Sequence, residues 1–136
     1  MSINSYQHNI RVYYEDTDAG GIVYYANYLK FFERARTEWL RELGISQSTF
    51  LEQNIGFVVT RVAMDNKASA KLDDLLTITT SIKQLKSASL VFSQQLVNQN
   101  EIVLCTAEIK VACVNVSIAK PCIIPKRILG ALKRVS

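Results

Sequence analysis

Asp16, Asp18, Gly20 and Gly21 lie within six residues of one another, just ahead of a run with helical spacing. A carboxylate in a tight glycine turn beside a helix start suits one kind of chemistry. It can attack, or activate water, while unpaired helix amides and the helix dipole favour developing negative charge. Asp16 reads as a turn residue and Asp18 as the acting group. The competing reading of Asp18 is a carboxylate that only hydrogen-bonds its own loop.

Other chemistries fall away by composition. A Ser or Cys hydrolase of the triad type needs a base beside its nucleophile. The chain has one histidine, His8, read as an exposed residue ahead of the first strand, and it has no Gly-x-Ser-x-Gly elbow. No His and Cys cluster has zinc-ligand spacing. Asp16, Asp18 and Gly21 match positions one, three and six of a calcium loop. However, Gly20 and Asn27 fall where two oxygen ligands are needed, so neither a metal nor any other cofactor is expected.

The elements that must hold this loop are legible as periodicities. Ile10, Val12 and Tyr14 alternate with Arg11, Tyr13 and Glu15 as on a half-buried strand that leads into the turn. Tyr28, Phe32, Ala35, Trp39 and Leu43 recur at helical spacing, with Asn27 as the predicted N-cap and Gly44 as the stop. Ser46 to Gln53 adds a turn or two of helix. Strands are predicted from Ile55 to Met64, from Leu76 to Lys83 and from Ser89 to Asn98. After a Gln99-Asn100 turn, Val103, Cys105, Ala107, Ile109, Val111 and Cys113 share one face of a long last strand. The order is strand, long helix, then consecutive antiparallel strands, in a single α+β domain spanning residues 1–136. One helix covers one sheet face and leaves two sheet edges open, so a homo-oligomer is expected.

Composition describes an ordinary globular chain of 136 residues, 49% apolar and 21% charged. No apolar run approaches the ~18 residues that span a bilayer, and the start MSINSYQHN does not resemble a signal peptide, so the expected location is cytoplasmic. Cys105, Cys113 and Cys122 are read as reduced packing residues. The net charge of +4 comes from Lys126, Arg127, Lys133 and Arg134 near the C-terminus, which leaves 12 basic against 12 acidic residues elsewhere. Pro125 can open a short helix there, with Ile128, Leu132 and Val135 as its apolar stripe. Its basic side is either a solvated face or a landing site for an anionic partner, such as a phosphate-bearing ligand, an acidic protein or a peripheral contact with an anionic membrane. Nucleic acid is not an expected partner, because no basic and aromatic interleaving accompanies the charge.

Asp-Thr-Asp-Ala-Gly-Gly-Ile-Val-Tyr-Tyr-Ala-Asn-Tyr, from Asp16 to Tyr28, and Phe-Glu-Arg-Ala-Arg, from Phe32 to Arg36, strongly resemble the hotdog-fold thioesterases of the 4-hydroxybenzoyl-CoA thioesterase family. The likeness is greatest to its Tol-Pal-associated acyl-CoA thioesterases. It continues through ASAKLDDLL (Ala68 to Leu76), KSASLVF (Lys86 to Phe92) and Pro125-Lys126. The resemblance implies a hotdog fold, an antiparallel sheet of five or six strands wrapped around one long helix. It also implies dimers or dimers of dimers with sites between protomers, and hydrolysis of acyl-CoA to free acid and CoA. Tol-Pal-associated members usually carry His where this chain has Tyr25, whereas the aromatic-substrate enzyme carries Tyr, so the acyl group is left open.

In that family pattern the backbone N–H of Tyr25 polarises the thioester carbonyl. Asp18 then acts as nucleophile, through a mixed anhydride, or as general base. The leaving thiol has a pKa of about 8.5 and departs without a strong general acid. Gly21, Val23, Tyr24, Asn27 and Tyr28 are the expected substrate-binding residues, although Asn27 is most simply the helix cap. Lys86, Ser87 and Ser89 occupy the turn that meets the CoA nucleotide in the aromatic-substrate relatives. The alternative is a hotdog module, associated with the cell envelope, that binds acyl-CoA or acyl carrier protein with little or no turnover.

Overall fold

The computed structural model describes residues 4–136. The first three residues of the polar start lie outside them. Strand β1 (Ser5–Arg11) leads through a single 3₁₀ turn at Tyr14–Asp16 and a loop into helix α1 (Asn27–Glu42). A short helix α2 (Gln47–Glu52) follows, then β2 (Ile55–Asn66), β3 (Leu75–Leu85), β4 (Ser89–Val97) and β5 (Val103–Asn115). A two-residue strand β6 (Lys120–Pro121) and helix α3 (Lys126–Arg134) close the chain. The sheet is antiparallel in the order β1-β3-β4-β5-β2, with β6 paired to β5. A six-stranded sheet curled around one long helix is the hotdog arrangement.

Helix α1 forms because its apolar residues return every three or four positions. Tyr28, Phe31, Phe32, Ala35, Trp39 and Leu40 are buried against Leu76 and Ile78 of β3, Leu90 and Phe92 of β4, and Ile109 of β5. Each large side chain removed from water there stabilises the fold by about 1.5–3 kcal/mol. Trp39 meets Phe92 edge-on, at 6.3 Å between centroids, and Tyr6 stacks on its other side. Gly44 ends the helix at φ +83°, a left-handed conformation that glycine adopts without a side-chain penalty.

A polar cluster pins α1 to the middle of the sheet. The Arg36 guanidinium, 7% exposed, donates to Gln94 Oε1 at 2.9 Å. Gln94 Nε2 donates in turn to Phe32 O and Thr80 Oγ1, both at 2.9 Å. Burial lowers the Arg36 pKa to about 10, with nearby Glu33 opposing the shift, so Arg36 remains a cation at neutral pH.

Several expectations are corrected. β1 stops at Arg11, which pairs with Leu75 at the start of β3, and Tyr14 is exposed. The Asp16 carboxylate accepts the Tyr13 N–H at 2.8 Å and so draws the chain into a 3₁₀ turn. His8 lies within β1 opposite Ile78 rather than ahead of it. It is partly buried, and burial together with Arg34 lowers its pKa. Asn27 does not cap α1, because the residue before the helix, Ala26, already has helical angles (φ −62°, ψ −24°). β2 runs two residues past Met64. The alternation on β3 and β5 and the buried Ile128 and Leu132 of α3 stand as expected.

Edge strand β2 exposes Val58, Val59 and Val62. No described helix is long and apolar enough to cross a membrane.

Candidate active site

The loop between β1 and α1 is held by hydrogen bonds to two neighbours. On one side it lies against residues 70–74. Val12 N–H donates to Asp74 O (2.9 Å), Asp73 N–H to Val12 O (3.1 Å) and Leu72 N–H to Gly21 O (3.0 Å). Val23 N–H donates to Ala70 O at 2.9 Å. On the other side, Asn27 of α1 donates its Nδ2–H to Asp16 O at 3.0 Å. The side chain expected to cap the helix instead fastens the loop to it.

Within this frame Asp18 to Gly21 form a tight turn closed by Gly21 N–H to Asp18 O at 3.1 Å, and Asp18 N–H donates to Ile22 O at 3.0 Å. Gly21 sits at φ +74°, which favours glycine over any residue with a side chain. The Asp18 carboxylate is exposed, and its Oδ1 accepts the Gly20 N–H at 2.9 Å. That bond is the one the turn-forming reading requires. It occupies one oxygen and leaves Oδ2 without a partner among the described residues.

Helix α1 opens in a tight 3₁₀ manner, with Tyr28 N–H donating to Tyr25 O at 3.0 Å. The Tyr25 N–H itself meets no acceptor among the described residues. It belongs to the turn just ahead of α1, two residues before Asn27, where no intrahelical bond is available to it. Tyr24 and Tyr25 are exposed, with rings 4.9 Å apart. A hydrogen bond to Tyr25 raises the Tyr24 phenol pKa, so Tyr24 stays protonated at neutral pH.

Asp18, Val23, Tyr24, Tyr25 and Tyr28 line one open cavity of about 380 Å³ together with Ile22 and residues 66–69. Tyr28 contributes as a strut. Its hydroxyl accepts the Ala70 N–H at 2.8 Å and reaches Ala68 O at 3.5 Å, and its ring is 1% exposed. Burial raises its pKa, partly offset by the Ala70 amide. Gly21 and Asn27 do not line the cavity. Gly21 shapes the turn and Asn27 ties it down.

Ile22 and the segment Asn66 to Ser69 are the parts of the lining that sequence reasoning did not assign to the site. The segment runs from the last residue of β2 to the residue before Ala70, and Lys67 there pairs with Asp65 at 3.0 Å. The ASAKLDDLL run beginning at Ala68 was the available signal.

Lys86, Ser87 and Ser89 are not brought to this cavity within one protomer. Their turn, closed by Lys86 N–H to Ser89 O at 2.8 Å, lies at the far end of β3 from Leu75, roughly 34 Å away at about 3.4 Å per residue. It does meet the C-terminal segment, because Ile124 N–H donates to Ser87 O at 2.8 Å.

An exposed carboxylate with one free oxygen and an unclaimed amide just ahead of a helix thus share one open cavity on a hotdog scaffold. In agreement with that, residues 12–132 match the thioesterase-like superfamily, and the chain belongs to it. Among its relatives is the "Acyl-CoA thioesterase YbgC" of Haemophilus influenzae, 50% identical over 132 residues that cover 96% of both chains. The "Acyl-CoA thioester hydrolase YbgC" of Escherichia coli O6:H1 is 43% identical over 98% of this chain and 100% of its own. Of the solved structures, BH1999 gentisyl-coenzyme A thioesterase superposes with a TM-score of 0.85 at 32% identity, over 93% of this chain and 99% of that one.

Proposed function

We propose that this protein is an acyl-CoA thioesterase whose hydrolytic site is Asp18 and the Tyr25 backbone N–H. The carrying observation is that an exposed carboxylate with a free oxygen and a residue with an unclaimed amide line the same cavity. The thioester carbonyl accepts the Tyr25 N–H, and Asp18 Oδ2 either attacks the carbonyl carbon or takes a proton from the attacking water. Charge that develops on the carbonyl oxygen is stabilised by an amide that needs no reorganisation. The thiolate then leaves; where Asp18 attacked, water hydrolyses the resulting mixed anhydride, releasing the free acid and restoring the carboxylate. The identity to acyl-CoA thioesterases over nearly the full chain supports the acyl-CoA substrate. No cofactor takes part, and the cytoplasm is the proposed location.

The cavity is open, and β2 ends the sheet with exposed valines, which supports a homodimer closed over this region. Because the Lys86 to Ser89 turn is remote from its own Asp18, any hold it has on CoA phosphates would serve the site of another copy. Release of free thiol from a panel of short, long and aromatic acyl-CoAs tests the reading. Turnover with at least one class is expected. Tight binding of acyl-CoA or acyl carrier protein without thiol release would instead establish the binding module.

A further inference from the structure

The β5–β6 hairpin brings two thiols together far from the cavity. Val114 pairs with Pro121 and Asn115 with Lys120, so Cys113 and Cys122 are the next positions along the ladder. Cys122 N–H donates to Cys113 O at 2.9 Å, and the two Sγ atoms are 3.4 Å apart. A disulfide has an S–S bond of about 2.05 Å, so each sulfur would move by roughly 0.7 Å, which side-chain rotation supplies. Cys105 takes no part. It sits eight residues back along β5, roughly 27 Å away, with its Sγ toward Thr106 O.

We propose that Cys113 and Cys122 form an oxidisable dithiol that closes to an intrachain disulfide when the protein meets hydrogen peroxide. Cys122 is the half-exposed member and reacts first. Its thiolate attacks one peroxide oxygen, the O–O bond breaks, and the departing hydroxide takes up a proton to leave as water. This gives a sulfenic acid on Cys122. Cys113 Sγ then attacks the Cys122 sulfur, the S–O bond breaks, and the hydroxide leaves with the Cys113 proton as a second water. The two sulfurs lose two electrons and the peroxide gains them. Cys113 is fully buried, and burial together with the neighbouring Cys122 pushes its thiol pKa up to about 12. It therefore suits the second step and not the first.

The bond would act at a joint. Cys113 N–H donates to Ala88 O and Ile124 N–H to Ser87 O, so the same residues carry the β3–β4 turn and the approach to α3. Closing this ten-residue loop restricts the unfolded chain, and the oxidised form should melt several degrees above the reduced one.

The test uses the reduced full-length chain, desalted and exposed to hydrogen peroxide. Free thiols counted after denaturation should fall from three to one. A peptide map should join residues 113 and 122 with the loss of two hydrogens, and dithiothreitol should restore both the thiols and the lower melting temperature. Cys122→Ala should keep its two remaining thiols under the same exposure. Cys113→Ala should stop at a sulfenic acid on Cys122 that dimedone traps. The proposal is overturned if the wild type keeps three thiols, or if the lost thiols appear as interchain bonds or as oxidised Cys105. It is equally overturned if Cys122→Ala consumes thiol as readily as the wild type.

Discussion

Two polar regions of this protein lie against the same helix and handle their hydrogen bonds in opposite ways. Around Arg36, every buried side-chain polar atom has a partner. Gln94 links the cation to the helix backbone and to Thr80. Around Asp18 the backbone is tightly tied, yet one carboxylate oxygen and the Tyr25 amide are unclaimed. A satisfied buried network specifies packing, whereas groups left over on a rigid frame remain available to a substrate. The contrast predicts that damage to the first region shows in stability and damage to the second in turnover.

The sharpest way to break that contrast is Asp18→Asn. Turnover should fall by at least ~10²-fold with the melting curve unchanged, since the Gly20 amide keeps its acceptor oxygen. Unchanged thiol release would remove Asp18 from the chemistry. A loss of stability matching the loss of rate would make it a turn residue after all.

Next in size is Tyr25. Tyr25→Pro deletes the N–H and, in folded protein, should cost roughly 10²–10³-fold in turnover. Tyr25→Phe and Tyr25→His should keep most activity and shift the acyl preference. Measuring all three on one acyl-CoA separates main chain from side chain, because a Phe variant as damaged as the Pro variant would make the phenol the working group.

Gln94→Leu probes the other region. It leaves the Arg36 cation buried without its acceptor and should destabilise the fold by about 2–3 kcal/mol in denaturant titrations. The folded fraction should turn over substrate at close to the wild-type rate. A variant that stays stable but is inactive would show that the two regions are coupled.

The smallest effect is expected from Tyr28→Phe, at the strut beside the Asp18 cavity. Removing the hydroxyl orphans the Ala70 N–H and should cost about 1–2 kcal/mol. Through the Ala70 to Val23 bond it should also lower turnover by a few-fold. Parallel melting and thiol-release measurements decide whether both move.

The helix and strands were legible because burial imposes periods of 3.6 and 2 on the side chains. Asp18 was legible because a motif surrounds it. The segment from Asn66 to Ser69 was not, because what places it beside Asp18 is Tyr28 bonding to Ala70 and Ala70 bonding to Val23, across 42 and 47 residues. Backbone groups carry no residue-specific signal. Asn27 was misread for a related reason, since an Asn before a helical run normally serves the helix, and only the fold reveals the Asp16 carbonyl within its reach. The separation of the Lys86 to Ser89 turn from its own Asp18 is likewise a property of sheet order, which short motifs do not encode.

The order in which α1 and its cover are made has a consequence for synthesis in a cell. Helix α1 is complete at Glu42, but the last strand that buries it ends at Asn115. At about 5–20 residues per second, Tyr28, Phe31, Phe32 and Trp39 wait roughly 4–15 s on the ribosome before their cover has been translated. The strand pairs that finally enclose them, β1 with β3 and β2 with β5, join residues far apart in the chain. The nascent chain should therefore depend on chaperone occupancy of that stripe. Slowing translation between residues 42 and 115 should lower the yield of folded protein more than slowing it after residue 115.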